Sequence, residues 1–115
     1  LLLTEEEYET FDINDIVWIK MDKYGDYGDI QSLKDIKLVH DKYMLAKVTG
    51  SDNYGAEFDK WHYKFKVEVI ILKDKDNWEI SEQTIDRKDI KHIVGSNLSH
   101  EMTQAFRNKY AEIAI

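Results

Sequence analysis

The alternation of apolar and polar positions predicts a chain built mainly from short β-strands. Both alternating sets of the first strand are apolar, which indicates burial on both faces. The segment 64–72 is the clearest strand, because Phe65, Val67, Val69 and Ile71 alternate there with charged residues. Polar turns separate the later segments. The predicted strands lie at residues 15–21, 43–49, 64–72, 78–80 and within 85–94.

Helical spacing appears near the end of the chain. Ser99 is a good N-cap, and Met102, Phe106 and Tyr110 fall on one face of the helix that follows. Residues 22–42 form a long connection, in which we expect a short helix or an extra strand. Thr4 and Glu7 have the form of a capping box, so a short helical turn is predicted at residues 4–10.

These elements predict a mainly β fold, a small five-stranded antiparallel barrel closed by a C-terminal α-helix. A chain of 115 residues has room for one such domain. We expect an acidic opening segment at residues 1–12, the barrel at 13–95, and a helix at 98–114 packed on the barrel.

Composition narrows the classes of function. The net charge is −7, but residues 1–15 contain six acidic and no basic residues, so the rest of the chain carries only −1. A basic surface for phosphate is therefore not evident, and nucleic-acid binding through scattered lysines is a weak alternative. There are no cysteines, which fits an intracellular protein, and no apolar run is long enough for a membrane span. The lysines through which nucleic acid would bind are Lys20, Lys23, Lys34, Lys37, Lys42, Lys64 and Lys66.

No catalytic motif is recognisable. The four histidines, His40, His62, His92 and His100, have no metal-ligand spacing and are interpreted as surface residues. Gly25 and Gly28 belong to no phosphate-binding pattern. We therefore expect a protein that is not an enzyme and that needs neither a metal nor another cofactor.

Aromatic residues are the most informative feature for function. They concentrate in two loops and at strand ends, where several rings could form an open box that attracts a methylated ammonium group by cation–π interaction. The alternative, that these rings only complete a small core, stays open. The candidates for such a cage are Tyr24, Tyr27, Tyr43 and Trp78, and the candidates for loop contacts are Tyr54, Phe58 and Trp61.

The first strand and its aromatic neighbour carry a resemblance to a known group. Residues 15–21 read Asp-Ile-Val-Trp-Ile-Lys-Met, with Tyr24 following, and residues 45–48 read Leu-Ala-Lys-Val. Both segments resemble PWWP domains of the Tudor, chromo-barrel and PWWP group of chromatin readers. The chain departs from that family in lacking its Pro-Trp-Trp-Pro signature, in the long connection after Tyr24, and in having no aromatic residue at 70–72.

The resemblance implies a Src-homology-3-like barrel and a nuclear chromatin reader. Such a reader would bind a methyl-lysine histone peptide through an aromatic cage, in which Tyr24 is the position that transfers best. The competing hypothesis is a small protein-interaction or inhibitor subunit, of viral or mobile-element type, that uses the barrel as a scaffold.

Overall fold

The computed structural model describes residues 11–21, 27–52, 64–93 and 97–115. The helical turn predicted at residues 4–10 lies outside them. Within the described residues, two α-helices and one 3-10 helix accompany the strands. The elements are β1 Ile16–Lys20, α1 Ile30–Asp35, β2 Val39–His40, β3 Tyr43–Asp52, β4 Lys64–Asp74, β5 Asn77–Asp86, the 3-10 helix Arg87–Asp89, β6 Ile90–His92 and α2 Asn97–Ala114.

The strands form one open antiparallel sheet in the order β5-β4-β3-β1-β6, with β2 paired to β3 beside this path. The predicted mainly β fold with a C-terminal helix is confirmed. The predicted number of five strands is wrong, because the described residues form six. The additional strand, β2, has two residues, too few for alternation to reveal. A two-residue turn joins it to β3, and its first residue, Asp41, has a φ of 54°, which aspartate tolerates better than most residues.

The connection between β1 and β3 confirms the expectation of internal structure, since it contains both α1 and β2. Asp29 caps α1 by accepting hydrogen bonds from the backbone N–H of Ser32 at 3.3 Å and its hydroxyl at 2.9 Å. The backbone N–H of Asp29 donates to the carbonyl of Leu72 on β4 at 3.0 Å. Leu33 and Leu38 are buried. The segment is therefore fastened to the sheet at its start and packed into the core beyond it.

The sheet is covered on both faces. Directly opposed residues of antiparallel strands point to the same face, so the pairing register sorts the side chains into two sets. The face that contains Val17 and Val69 is called the inner face here, and the one that contains Ile16 and Ile70 the outer face. Nine residues of the inner face are at most 3% exposed: Val17, Ile19, Met44, Ala46, Val48, Val67, Val69, Ile71 and Ile90.

Helix α2 packs on the outer face. Phe106 is 1% exposed, which corresponds to about 1.5–3 kcal/mol of hydrophobic stabilisation. The hydroxyl of Tyr110 donates to the Glu68 carboxylate at 2.8 Å. Lys47 lies 3.7 Å from the same carboxylate, with its ammonium nitrogen 4.0 Å from the centre of the Tyr110 ring. The helix is thus held to β3 and β4 by an apolar anchor and a partly buried polar cluster.

Candidate functional site

A wide cleft opens between the end of β1 and the end of β5. Its volume is about 1220 Å³. It is called the β1–β5 cleft here. Its lining residues come from six parts of the chain: Lys20, Met21, Tyr27, Gly28, Ile30, Asp41, Lys42, Lys64, Gln83, Thr84, Ile85, Asp86 and Asp89.

Local structure explains how these parts meet. The pairing of β1 with β6, in which Ile19 lies opposite Ile90, brings the 3-10 helix to the end of β1. Arg87 supports that helix, because its guanidinium donates to the carbonyl of Ile90 at 3.0 Å and lies 4.6 Å from the centre of the Phe11 ring. Gly28, which forms an isolated bridge to Leu72 of β4, also lines the cleft.

The cleft has a mixed, balanced charge. Its lining carries three lysines and three aspartates. Lys64 and Asp86 form an ion pair of 3.8 Å across the first residue of β4 and the last of β5, and both side chains are partly exposed. Such an exposed pair contributes little to stability, about 0–1 kcal/mol. These charges therefore matter more for the orientation and selection of a ligand than for the fold.

The shape and lining of the cleft favour a macromolecular ligand over a small one. Small-molecule sites are concave, mostly apolar and about 300–1000 Å³ in volume. The β1–β5 cleft is larger and open, and its lining combines six charged side chains with the apolar surfaces of Met21, Tyr27, Ile30 and Ile85. One of its walls is the second half of a strand, so an extended polypeptide fits it better than a compact molecule does.

Tyr43 and Trp78, two of the cage candidates, are partly exposed and lie on the outer face. Each ring already contacts a lysine of this chain. The ammonium of Lys91 lies 4.8 Å from the Tyr43 ring centre, and that of Lys109 lies 4.3 Å from the Trp78 ring centre. The two lysines belong to β6 and α2. The rings therefore serve two separate internal contacts and do not form one box around a common cation.

Tyr27, the third cage candidate that the structure describes, is 7% exposed and belongs to the core, although it also touches the cleft. Its ring offers little free face to a ligand. Tyr24, Tyr54, Phe58 and Trp61 lie outside the described residues. Tyr24 belongs to the segment 22–26, which joins Met21 to Tyr27, and both of these residues line the cleft.

Sequence reasoning missed Phe11 and the second half of β5. Phe11 falls in the acidic opening segment, yet it is 6% exposed, meets the Phe65 ring edge-on at 5.3 Å and lies 4.3 Å from the ring of His92. The available signal was a phenylalanine among acidic residues shortly before the first strand. Residues 81–86 are mostly polar, which concealed their strand.

The described residues also bear on metal and phosphate binding. Among them, no group of three His, Asp or Glu side chains could hold a metal ion. Of the lysines considered for nucleic acid, Lys20, Lys42 and Lys64 line the β1–β5 cleft, where three aspartates balance their charge, and the other described lysines lie elsewhere. Lys37 on the connection to β2 pairs with Glu101 of α2 at 3.7 Å, Lys64 pairs with Asp86, and Lys66 lies opposite Thr84 on the outer face.

Comparisons of this chain with models of known families, with curated proteins and with solved structures find no match. None of the helices in the described ranges has the length and apolar character that crossing a membrane requires.

Proposed function

We propose that this chain is a non-catalytic recognition module that binds an extended segment of a partner protein in the β1–β5 cleft. The observation that carries the proposal is the cleft itself, which is open, about 1220 Å³ in volume and walled by a strand on one side. Its balanced charges suit a peptide that carries both signs. This corresponds to the protein-interaction hypothesis drawn from the sequence.

We also propose that the sheet is a Src-homology-3-like barrel. Three features support this assignment. β1 pairs with both β3 and β6, so the strands that come first and last along the described part of the chain are neighbours in the sheet. The 3-10 helix directly precedes β6. A register shift between Val48 and Gly50 interrupts the ladder of β3, and such bulges let a strand bend around a barrel.

The proposed function is tested by selecting peptides that bind the chain from a random displayed library and measuring the affinity of the enriched peptide. Lys42 lines the cleft in an exposed two-residue turn between strands. Lys42→Glu is expected to change the affinity for that peptide by about tenfold, the equivalent of ~1.4 kcal/mol, as a loss where the peptide places an acidic residue at Lys42 and as a gain where it places a basic one there.

Lys75 provides a matched control, since it is an exposed lysine in the two-residue turn between β4 and β5 and is not among the residues that line the cleft. Lys75→Glu makes the same change of charge and is expected to leave the affinity within about twofold. Equal affinities for the two variants would place the ligand elsewhere and reject the cleft.

A chromatin reader for methylated lysine is the second candidate function, because the segment that contains Tyr24 begins and ends at the cleft. A cage built on Tyr43 or Trp78 would first have to displace Lys91 or Lys109 from the ring. This requirement favours a ligand whose binding does not depend on methylation.

The two candidates separate in a titration of histone-tail peptides that carry zero, one, two or three methyl groups on lysine. A reader binds the trimethylated form at least about tenfold more tightly than the unmodified form, and loses that preference in Tyr24→Ala or Trp78→Ala. Affinities that do not change with methylation reject the reader and leave the general module.

A further inference from the structure

Strand β5 has a long edge that no described residue pairs with, called the free edge here. Its ten residues pair with β4 on one side, and it stands last in the strand order. Within the described part of the chain, no other element forms backbone hydrogen bonds with its second side. Unpaired N–H and C=O groups along such an edge are a template for another strand.

The sequence of β5 protects this edge only with acidic side chains, which repel a second acidic edge but not a basic strand. Proteins usually shield exposed edges with charged side chains, especially lysine, with proline, with a bulge or by keeping the strand very short. Residues 77–86 contain no proline, glycine, lysine or arginine, and the strand is among the longest in the structure. Its second half, from Gln83 to Asp86, forms the wall of the β1–β5 cleft. An extended peptide in the cleft would therefore lie along the free edge.

The charges of β5 are all acidic, and one of them has no ion-pair partner among the described residues. Glu79 pairs with Lys73 at 3.5 Å and Asp86 with Lys64 at 3.8 Å. Glu82 is exposed and lies directly opposite Glu68 on β4. No basic side chain of the described residues lies within ion-pair distance of Glu82, while Glu68 has Lys47 and Tyr110 as partners. Like charges directly opposite each other in a sheet are destabilising.

We infer that the partner segment adds to β5 as a further strand and places a lysine or arginine directly across from Glu82. This inference rests on the proposed function and specifies how the segment binds. In an added strand the residue opposite Glu82 has its Cβ about 4.5–5.5 Å away, close enough for an ion pair. Pairing of β5 with β5 of a second copy would bring two acidic edges together, so charge favours a basic partner.

The probe for the test is a ten-residue synthetic peptide of alternating lysine and valine with a fluorescent label. Two further versions carry N-methyl groups on alternate backbone nitrogens, in the two opposite phases, and a fourth replaces each lysine by glutamate. Because N-methylation removes N–H donors from one edge of the peptide only, one of the two phases is expected to bind about tenfold more weakly. Hydrogen exchange of the β5 amides is expected to slow when the parent peptide binds.

The protein variant is Glu82→Lys, with Glu112→Lys as the matched control on an exposed acid of α2. Glu82→Lys is expected to lower the affinity for the basic peptide by about tenfold and to raise the affinity for the glutamate peptide. Glu112→Lys is expected to change neither affinity by more than about twofold. Glu82→Gln is a second variant that removes the charge without reversing it, and it is expected to fall between the wild-type protein and Glu82→Lys.

Strand addition is rejected if the parent peptide does not bind, if both N-methylated peptides bind as well as the parent, or if Glu82→Lys behaves like Glu112→Lys. The outcomes for the peptide selected from the library distinguish failure of strand addition from failure of the proposed function. If the peptide selected from the library responds to Lys42→Glu but not to Glu82→Lys or to backbone methylation, the cleft is retained and strand addition alone is wrong. If it responds to neither, both are wrong.

Discussion

Gly28 lines the β1–β5 cleft and lies against the backbone of β4 at Leu72. Its φ is +77°, a conformation that costs other residues about 1–2 kcal/mol. A Cβ atom at this position would lie 2.6 Å from the carbonyl carbon of Leu72 and would overlap the carbonyl oxygen. The same carbonyl accepts the hydrogen bond of Asp29. One residue without a side chain thus allows the connection to join the sheet.

Gly28→Ala is expected to lower the free energy of unfolding by at least about 2 kcal/mol, since the strained φ and the overlap with β4 act together. Urea denaturation followed by circular dichroism measures this change. Gly50→Ala is the control. Gly50 has no positive φ and nothing within 4 Å of an added Cβ, so its replacement should leave stability unchanged or raise it by about 0.4–1 kcal/mol. Equal losses in both variants would contradict the close approach to Leu72.

Lysine–aromatic contacts also operate at the residue scale. The rings of Tyr43, Trp78 and Tyr110 each contact a lysine of this chain. From the sequence, aromatic residues near strand ends predicted a ligand cage. The structure shows that lysines distant in sequence cover two of the candidate rings, and spacing along the chain does not reveal such pairs. The residue types predicted that these rings would bind a cation by cation–π interaction, but tertiary packing determines which lysine lies against each ring.

The elements differ in how well their sequence predicted them. Strands β1, β3 and β4 were found within a few residues of their ends, because burial on one or both faces gives them strong apolar patterns. Strand β5 was predicted only at 78–80, since its remaining residues are mostly polar and partly exposed. The polar edge that made β5 hard to find is the feature on which the proposal of strand addition depends.

The packing of helix α2 on the sheet is expected to depend mainly on one buried side chain, Phe106. Phe106→Ala should lower the free energy of unfolding by about 3–5 kcal/mol, because the ring is 1% exposed between the helix and the outer face. A loss of this size is large compared with the usual stability of a small domain, about 5–15 kcal/mol. Asn108→Ala, two positions along the helix and exposed, should change stability by less than about 0.5 kcal/mol. Identical denaturation midpoints for the two variants would show that α2 lies outside the cooperative core.

For the whole molecule, the sequence predicted the class of fold but not the position of the cleft. Alternation and turn residues were sufficient for a β-rich domain with a terminal helix. The β1–β5 cleft brings together Lys20, Lys42, Lys64 and Asp86 from three strands and a turn. Their proximity follows from the pairing of β1 with β6 and from the course of β5, and no short pattern in one sequence contains that information.

The absence of proline and cysteine leads to a prediction about folding of the whole chain. Pairing of Val17 with His92 joins two strands that are 75 residues apart along the chain, so loop closure over a long distance should limit the rate and give refolding in about milliseconds to seconds. No phase of about 10–100 s from prolyl isomerisation is expected, and a prolyl isomerase should not accelerate refolding. Stopped-flow tryptophan fluorescence after dilution from urea, at several protein concentrations, measures this. A slow phase that depends on concentration would instead reveal association of chains, which the acidic edge of β5 is expected to oppose.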